Sequence, residues 1–163
     1  MINFRKGPGH SLLQTDFVGD LKADEAVVAG MLVQKEQTTG DVTKLTTYIN
    51  GTETYGLVGF AITNQDEGDA IESGKIGCIA LDGGSVIETD QYTGTYTSAD
   101  IGKAVVADGS TAGKVKVVTW ADANTSRIIG TVYDAPRNVF VGFTAYSLLP
   151  IKLGVGGATV AVS

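Results

Sequence analysis

Lys103-Ala104-Val105-Val106-Ala107-Asp108-Gly109-Ser110-Thr111-Ala112-Gly113-Lys114-Val115-Lys116-Val117-Val118-Thr119-Trp120 is the stretch on which the fold turns. Its centre, Gly109 to Lys114, has the outline of a phosphate-binding loop. Such a loop needs four residues between its glycines, a Ser or Thr after the lysine to hold magnesium, and a helix after that. Here three residues separate Gly109 from Gly113, Val115 follows Lys114, and no helical periodicity comes next. The stretch therefore reads as strand, turn, strand: Lys103–Ala107, a turn opened by Asp108-Gly109, and Lys114–Trp120.

The same grammar recurs on both sides. Glu25–Lys35 is apolar and interrupted by Gly30, which inside a strand pattern suggests a bulge or sharp bend. Val42–Asn50 alternates loosely. Asn50-Gly51 is a two-residue hairpin signal, because both positions tolerate positive φ, and it predicts Tyr55–Thr63 as the return strand. Lys75–Leu81, the turn Asp82-Gly83-Gly84 and Ser85–Thr89 read as a second hairpin. Ser98-Ala99-Asp100-Ile101-Gly102 fits one helical turn, with Ser98 as cap and Gly102 as stop. Arg127–Tyr133 and Asn138–Tyr146 follow as strands separated by Asp134-Ala135-Pro136, and Ala158–Val162 reads as a last one.

Composition agrees. Val, Ile and Thr make up 48 of the 163 residues, and β-branched side chains suit a pleated surface. The 22 glycines are spread along the chain as turn residues would be. About ten short strands with turn signals roughly every 8–12 residues predict a single all-β barrel or sandwich. Residues 1–22 differ: Gly7-Pro8-Gly9 breaks regular structure and no clean periodicity runs through Leu12, Leu13 and Phe17. The expected organisation is an extended N-terminal arm over 1–22 and a β body over 23–163.

Residues for chemistry are few. His10 is the only histidine and lies in the expected arm, so a Ser-His-acid triad has nowhere to form. Cys78 is the only cysteine, which excludes an intrachain disulfide. Asp66-Glu67-Gly68-Asp69 is the densest carboxylate cluster, but it lacks the alternating spacing of a calcium loop. Trp120 is the lone tryptophan, so no sugar-stacking platform is evident. Tyr48, Tyr55, Tyr92 and Tyr96 fit either ordinary sheet positions or an exposed aromatic patch for protein contact. The net charge of −6 argues against nucleic acid, and no apolar run is long enough to span a bilayer. Residues 53–100 hold nine acids against Lys75 alone, which predicts an acidic face. No cofactor and no metal are expected, and the chain reads as a structural or binding module and not an enzyme.

Several stretches resemble the small head decoration, or cement, proteins of tailed bacteriophages. They are Val27-Val28-Ala29-Gly30-Met31-Leu32-Val33, Gly56-Leu57-Val58-Gly59-Phe60-Ala61, Lys75-Ile76-Gly77-Cys78-Ile79-Ala80, and a second half running from Ser98 through Val105 and Gly113-Lys114-Val115 to Arg127-Ile128-Ile129-Gly130-Thr131-Val132. Together they cover most of residues 25–133, whereas Asn138–Ser163 matches no pattern of that family. The resemblance implies a virion protein, usually trimeric, that binds major capsid proteins on the outside of an expanded head. Phe4, Arg5, Lys6 and Phe17 are then the expected contacts of the arm, and deleting residues 1–20 is expected to leave a folded body that no longer binds shells. Other readings are a tail-tube or tail-tip β-protein and a glycan-binding adhesion module.

Overall fold

A computed structural model describes residues 1–6, 26–35, 42–46, 58–62, 78–81, 84–123 and 126–154, with 3–6 and 78–80 as backbone only. The fold is all-β, as expected. Eleven strands occur in these residues: β1 (Ile2–Lys6), β2 (Leu32–Lys35), β3 (Val42–Lys44), β4 (Val58–Ala61), β5 (Cys78–Ala80), β6 (Val86–Thr89), β7 (Ala104–Ala107), β8 (Val115–Val118), β9 (Gly130–Val132), β10 (Arg137–Val141) and β11 (Thr144–Leu153). They form two antiparallel sheets. The larger runs β1-β6-β11-β9-β7-β8, with β10 also paired to β11, and the smaller runs β3-β2-β4-β5. The sheets pack as a sandwich and do not close into a barrel. Leu32, Leu45 and Phe60 of the small sheet meet Ile87, Val105, Ile129, Leu149 and Ile151 of the large one in one buried core.

The deciding stretch forms the expected hairpin. β7 pairs β8 from Ala104↔Val118 to Ala107↔Val115. Its loop does more than turn the chain. Gly113 donates its N–H to the Leu45 carbonyl (2.9 Å) and accepts the Leu32 N–H on its own carbonyl (2.7 Å). The would-be phosphate loop thus spends its last backbone groups on the opposite sheet. Only glycine suits this position. Its φ is +78°, and a Cβ there would lie 3.1 Å from Met31 Sδ and 3.2 Å from Lys44 Cγ. Asp108 organises the start of the loop by accepting the Ser110 N–H at 3.1 Å.

Gly30 is a bend, as the sequence suggested. It takes φ +96°, and its carbonyl accepts the Thr89 hydroxyl of β6 at 2.8 Å, a second tie between the sheets. The helical turn is a 3-10 turn over Ser98–Asp100, capped by Thr97 and not Ser98. The Thr97 N–H donates to Asp100 Oδ2 at 2.8 Å, so the capping box starts one residue earlier. Of the four tyrosines singled out, the two described ones lie between β6 and β7 and in neither strand, Tyr92 forming only an isolated bridge to Val115. Tyr92 and Tyr96 pack against the core, and the Tyr96 hydroxyl, which donates to the Thr93 carbonyl, accepts the Val117 N–H at 2.9 Å. Together with the Val115 N–H to Gln91 carbonyl bond (3.1 Å), this occupies outward N–H groups of edge strand β8. Burial pushes the Tyr96 phenol above its ordinary value, against the lowering effect of that Val117 N–H.

Four further expectations need correction. Lys75–Leu81 and Ser85–Thr89 do not form a hairpin: β5 pairs β4 in the small sheet, whereas β6 pairs β1 and β11 in the large one. From β5 to β6 the chain therefore changes sheet, which a local turn signal does not distinguish from a hairpin. Val42–Lys44 and Val58–Ala61 are not partners either, because both pair β2. The signal at Asn50-Gly51, between them, lies outside the described residues. Asn138–Tyr146 is two strands and a turn. Finally, the first residues of the expected arm belong to the body. β1 pairs β6 from Ile2↔Thr89 to Lys6↔Val86 and Ile2 packs on the core, so deleting residues 1–20 removes an edge strand. The remainder of the arm and Ala158–Val162 lie outside the described residues.

Gly113→Ala is expected to destabilise the protein by roughly 1–3 kcal/mol, from the positive φ and the crowding together, measured by urea unfolding. A second expectation concerns acid. Burial by itself pushes the Asp108 carboxyl up, but the Ser110 N–H and the Thr93 and Thr111 side chains together hold it below its ordinary 3.8. Its contribution to stability is complete above that ordinary value and is lost as pH falls through the depressed folded value. Asp108→Asn should therefore lower the neutral-pH melting temperature and reduce the further loss on acidification, read from melting curves across acid pH.

Candidate protein-contact hairpin

β11 is ten residues long, and its two halves live in different surroundings. Leu148, Leu149, Ile151 and Leu153 are fully buried or nearly so. Thr144, Ala145 and Ser147 are exposed. The change coincides with a change of partner. Residues Leu149–Lys152 pair β6 and Ile151–Leu153 pair β9, inside the sandwich. Residues Thr144–Leu148 pair β10. Between the β9 and β10 pairings, β11 has Leu149-Pro150 while the other chain segment has the four residues Tyr133–Pro136, a local bulge of the kind that redirects a strand. Pro150 lacks the N–H that a central ladder uses, and it stands at this changeover. Its carbonyl accepts the Tyr133 N–H at 2.9 Å.

β10 and the distal half of β11 therefore leave the body as a two-stranded ribbon, Arg137 to Ser147. Val141 pairs Thr144 across a two-residue turn, Gly142-Phe143. Gly142 takes φ +60°, which tight hairpin turns require of their first residue and glycine adopts without a steric penalty. The tip is apolar and in the open: Phe140 is 70% exposed, Val141 53% and Phe143 as exposed as in an extended peptide, at 107%. No charged side chain occurs from Asn138 to Ile151. A free-standing two-stranded ribbon is marginal in water, so its root matters.

The root is pinned. Glu88 on β6 is fully buried, and Arg137, the first residue of β10, grips it with two parallel bonds, Nε to Oε1 at 2.7 Å and Nη2 to Oε2 at 2.5 Å. The planar guanidinium matches both carboxylate oxygens at once, and the hydrogen bonding to Glu88, helped by its charge, pushes the Arg137 guanidinium above its ordinary value. The Tyr92 and Ser147 hydroxyls meet at 2.7 Å and tether the other strand. The ribbon thus leaves the sandwich in a fixed direction, with its apolar end outward.

The residues singled out from sequence fall elsewhere. Phe4, Arg5 and Lys6 lie on β1; Phe17, His10, Tyr48, Tyr55 and the Asp66–Asp69 cluster lie outside the described residues. Cys78 is on β5. Trp120 is partly exposed, its indole N–H held by the Gly102 carbonyl at 3.0 Å. Among the described residues no three His, Cys, Asp or Glu side chains are placed to hold a metal ion. Reading Asn138–Tyr146 as one strand hides the ribbon. The sequence does carry a signal: Asn138–Ile151 is the longest stretch of the chain without a charged residue, and Gly142 interrupts its first half.

Arg137→Met is expected to remove both guanidinium bonds from the buried Glu88 carboxylate and lower the melting temperature by roughly 6 °C or more. Phe143→Ser, at a fully exposed position, should change stability by less than about 0.5 kcal/mol. Calorimetry on both variants separates the pin from the tip. No protein-family model matches the chain, and neither does any curated protein or solved structure.

Proposed function

We propose that this chain is a structural protein that works by binding other protein chains, and that it serves as a decoration protein on the outer surface of a tailed-phage head. The observation that carries the reading is the ribbon. Large apolar side chains held in solvent on a braced element are not needed for the fold and are characteristic of contact surfaces. Phe140 and Phe143 are aromatic, the type that dominates interface energetics. The strands and glycine turns that resemble decoration proteins supply the setting, with major capsid proteins as the partner and homotrimers as the working form. Residues 1–22 remain part of the proposal: β1 anchors their start in the large sheet, and Phe17 would make its contact from the segment beyond.

The test uses heads assembled without the protein. Wild-type protein should co-sediment with expanded shells, and the Phe140→Ser/Phe143→Ser double variant should bind at least about tenfold more weakly while melting like wild type. Undiminished binding by the double variant would remove the ribbon from the reading. A hexameric ring or tube in solution would favour a tail component instead.

A further inference from the structure

Edge strands of a sheet expose unpaired N–H and C=O groups, and natural proteins blunt them with charges, bulges, prolines or covering groups. The large sheet does so at both ends. At β8 the Val115 and Val117 N–H groups are taken by the Gln91 carbonyl and the Tyr96 hydroxyl. At β1 the register shifts between Phe4 and Lys6, and Arg5 and Lys6 are cationic. β10 is a third edge, since among the described residues it pairs β11 alone. It carries none of these devices. Its register runs without a shift from Arg137↔Leu148 to Val141↔Thr144, and no proline occurs in it. Its one charged side chain, Arg137, is turned to Glu88.

The hairpin fixes which groups face out. The residues flanking a two-residue turn exchange both their N–H and C=O groups, and the pattern alternates from there. Val141, Val139 and Arg137 therefore face β11, and Asn138 and Phe140 aim their N–H and C=O groups away from it. The same alternation along β11 sends the Pro150 carbonyl to Tyr133 and the Leu153 N–H to Ser85 on the opposite side, as observed. Asn138 and Phe140 are both exposed. We propose that this edge receives an extended strand of the capsid partner, which joins the ribbon as a third strand through the backbone groups of Asn138 and Phe140. An open ladder selects a strand, because its groups repeat at every second residue of an extended backbone, whereas a helix spends its own N–H and C=O groups internally. The Phe140 and Val141 side chains, on opposite faces of the ribbon, flank the added strand. A second copy is the weaker occupant, because copies carrying −6 each repel. The inference rests on the reading of the ribbon as the capsid contact and names the form in which the partner meets it.

Asn138→Pro tests it, because proline removes an outward N–H and leaves the ladder to β11 intact. This variant should bind expanded shells at least about tenfold more weakly than wild type while melting like it, and Asn138→Thr, which keeps the N–H, should bind like wild type. Hydrogen exchange on the wild-type protein reads the same edge without a substitution. The Asn138 and Phe140 amides should exchange fast in the free protein and at least about tenfold more slowly on shells. Amides already slow in the free protein, amides unchanged on shells, or equal weakening by Asn138→Thr overturn the inference. If Asn138→Pro melts below wild type, the exchange result alone decides. Dimers in solution that Asn138→Pro abolishes overturn the choice of partner. Full binding by Asn138→Pro beside weak binding by the Phe140→Ser/Phe143→Ser variant overturns strand addition and leaves the decoration reading standing; a wild type that does not bind shells overturns the decoration reading itself.

Discussion

The two backbone hydrogen bonds of Gly113 join the sheets, and much of the molecule is arranged around them. A sandwich needs its sheets held at one separation so that the inner faces interdigitate. Apolar burial supplies the drive but no register. Leu32 and Leu45, both wholly or almost wholly buried, give their backbone N–H and C=O to Gly113 across the gap. That fixes where the β7–β8 loop sits over β2 and β3. Thr89 repeats the device from the other direction, its hydroxyl reaching the Gly30 carbonyl. Both glycines have positive φ and crowded surroundings, a Cβ at Gly30 falling 2.5 Å from Thr89 Oγ1 and one at Gly113 3.1 Å from Met31 Sδ, so both ties between the sheets use positions that favour glycine.

With the sandwich fixed, β11 can be long. Its C-terminal half is held between β6 and β9, and its N-terminal half has β10 as partner. A ribbon so placed would swing if hydrogen bonds to one strand were its only support. The Arg137–Glu88 pair prevents that by linking the first residue of β10 to a buried carboxylate on β6. Burying a carboxylate is unfavourable unless it is paired and hydrogen-bonded. The pair therefore contributes orientation more than net stability, which suits an element whose apolar tip faces outward.

The sequence was most legible where the determinants are local. The β7–β8 hairpin, the bend at Gly30 and the Gly102 stop follow from residue types within a few positions of one another. Legibility failed where the partner is remote. The residue types Asp82-Gly83-Gly84 signal a turn equally well whether the next strand returns to its neighbour or crosses to the other sheet. Thr97 and Ser98 are both competent caps, and the carboxylate of Asp100 reaching the Thr97 N–H decides between them. Asn138–Tyr146 looked like one strand because Gly142 alone interrupts it, and a single glycine in a β-rich run marks a bulge as readily as a turn.

The sequence by itself determined that this is an all-β chain, since β-branched residues, short runs and dispersed glycines leave no length for a buried helix. It also determined that charge is absent from Asn138 to Ile151. Only the tertiary structure decided what that uncharged run does. An apolar strand is core if a second sheet lies over it and contact surface if none does, and its own residues do not encode which. Leu149 and Ile151 are buried because sheet packing reaches them, and Phe140 and Phe143 are exposed because the bulge at Tyr133–Pro136 and the Arg137–Glu88 pin carry them past its edge.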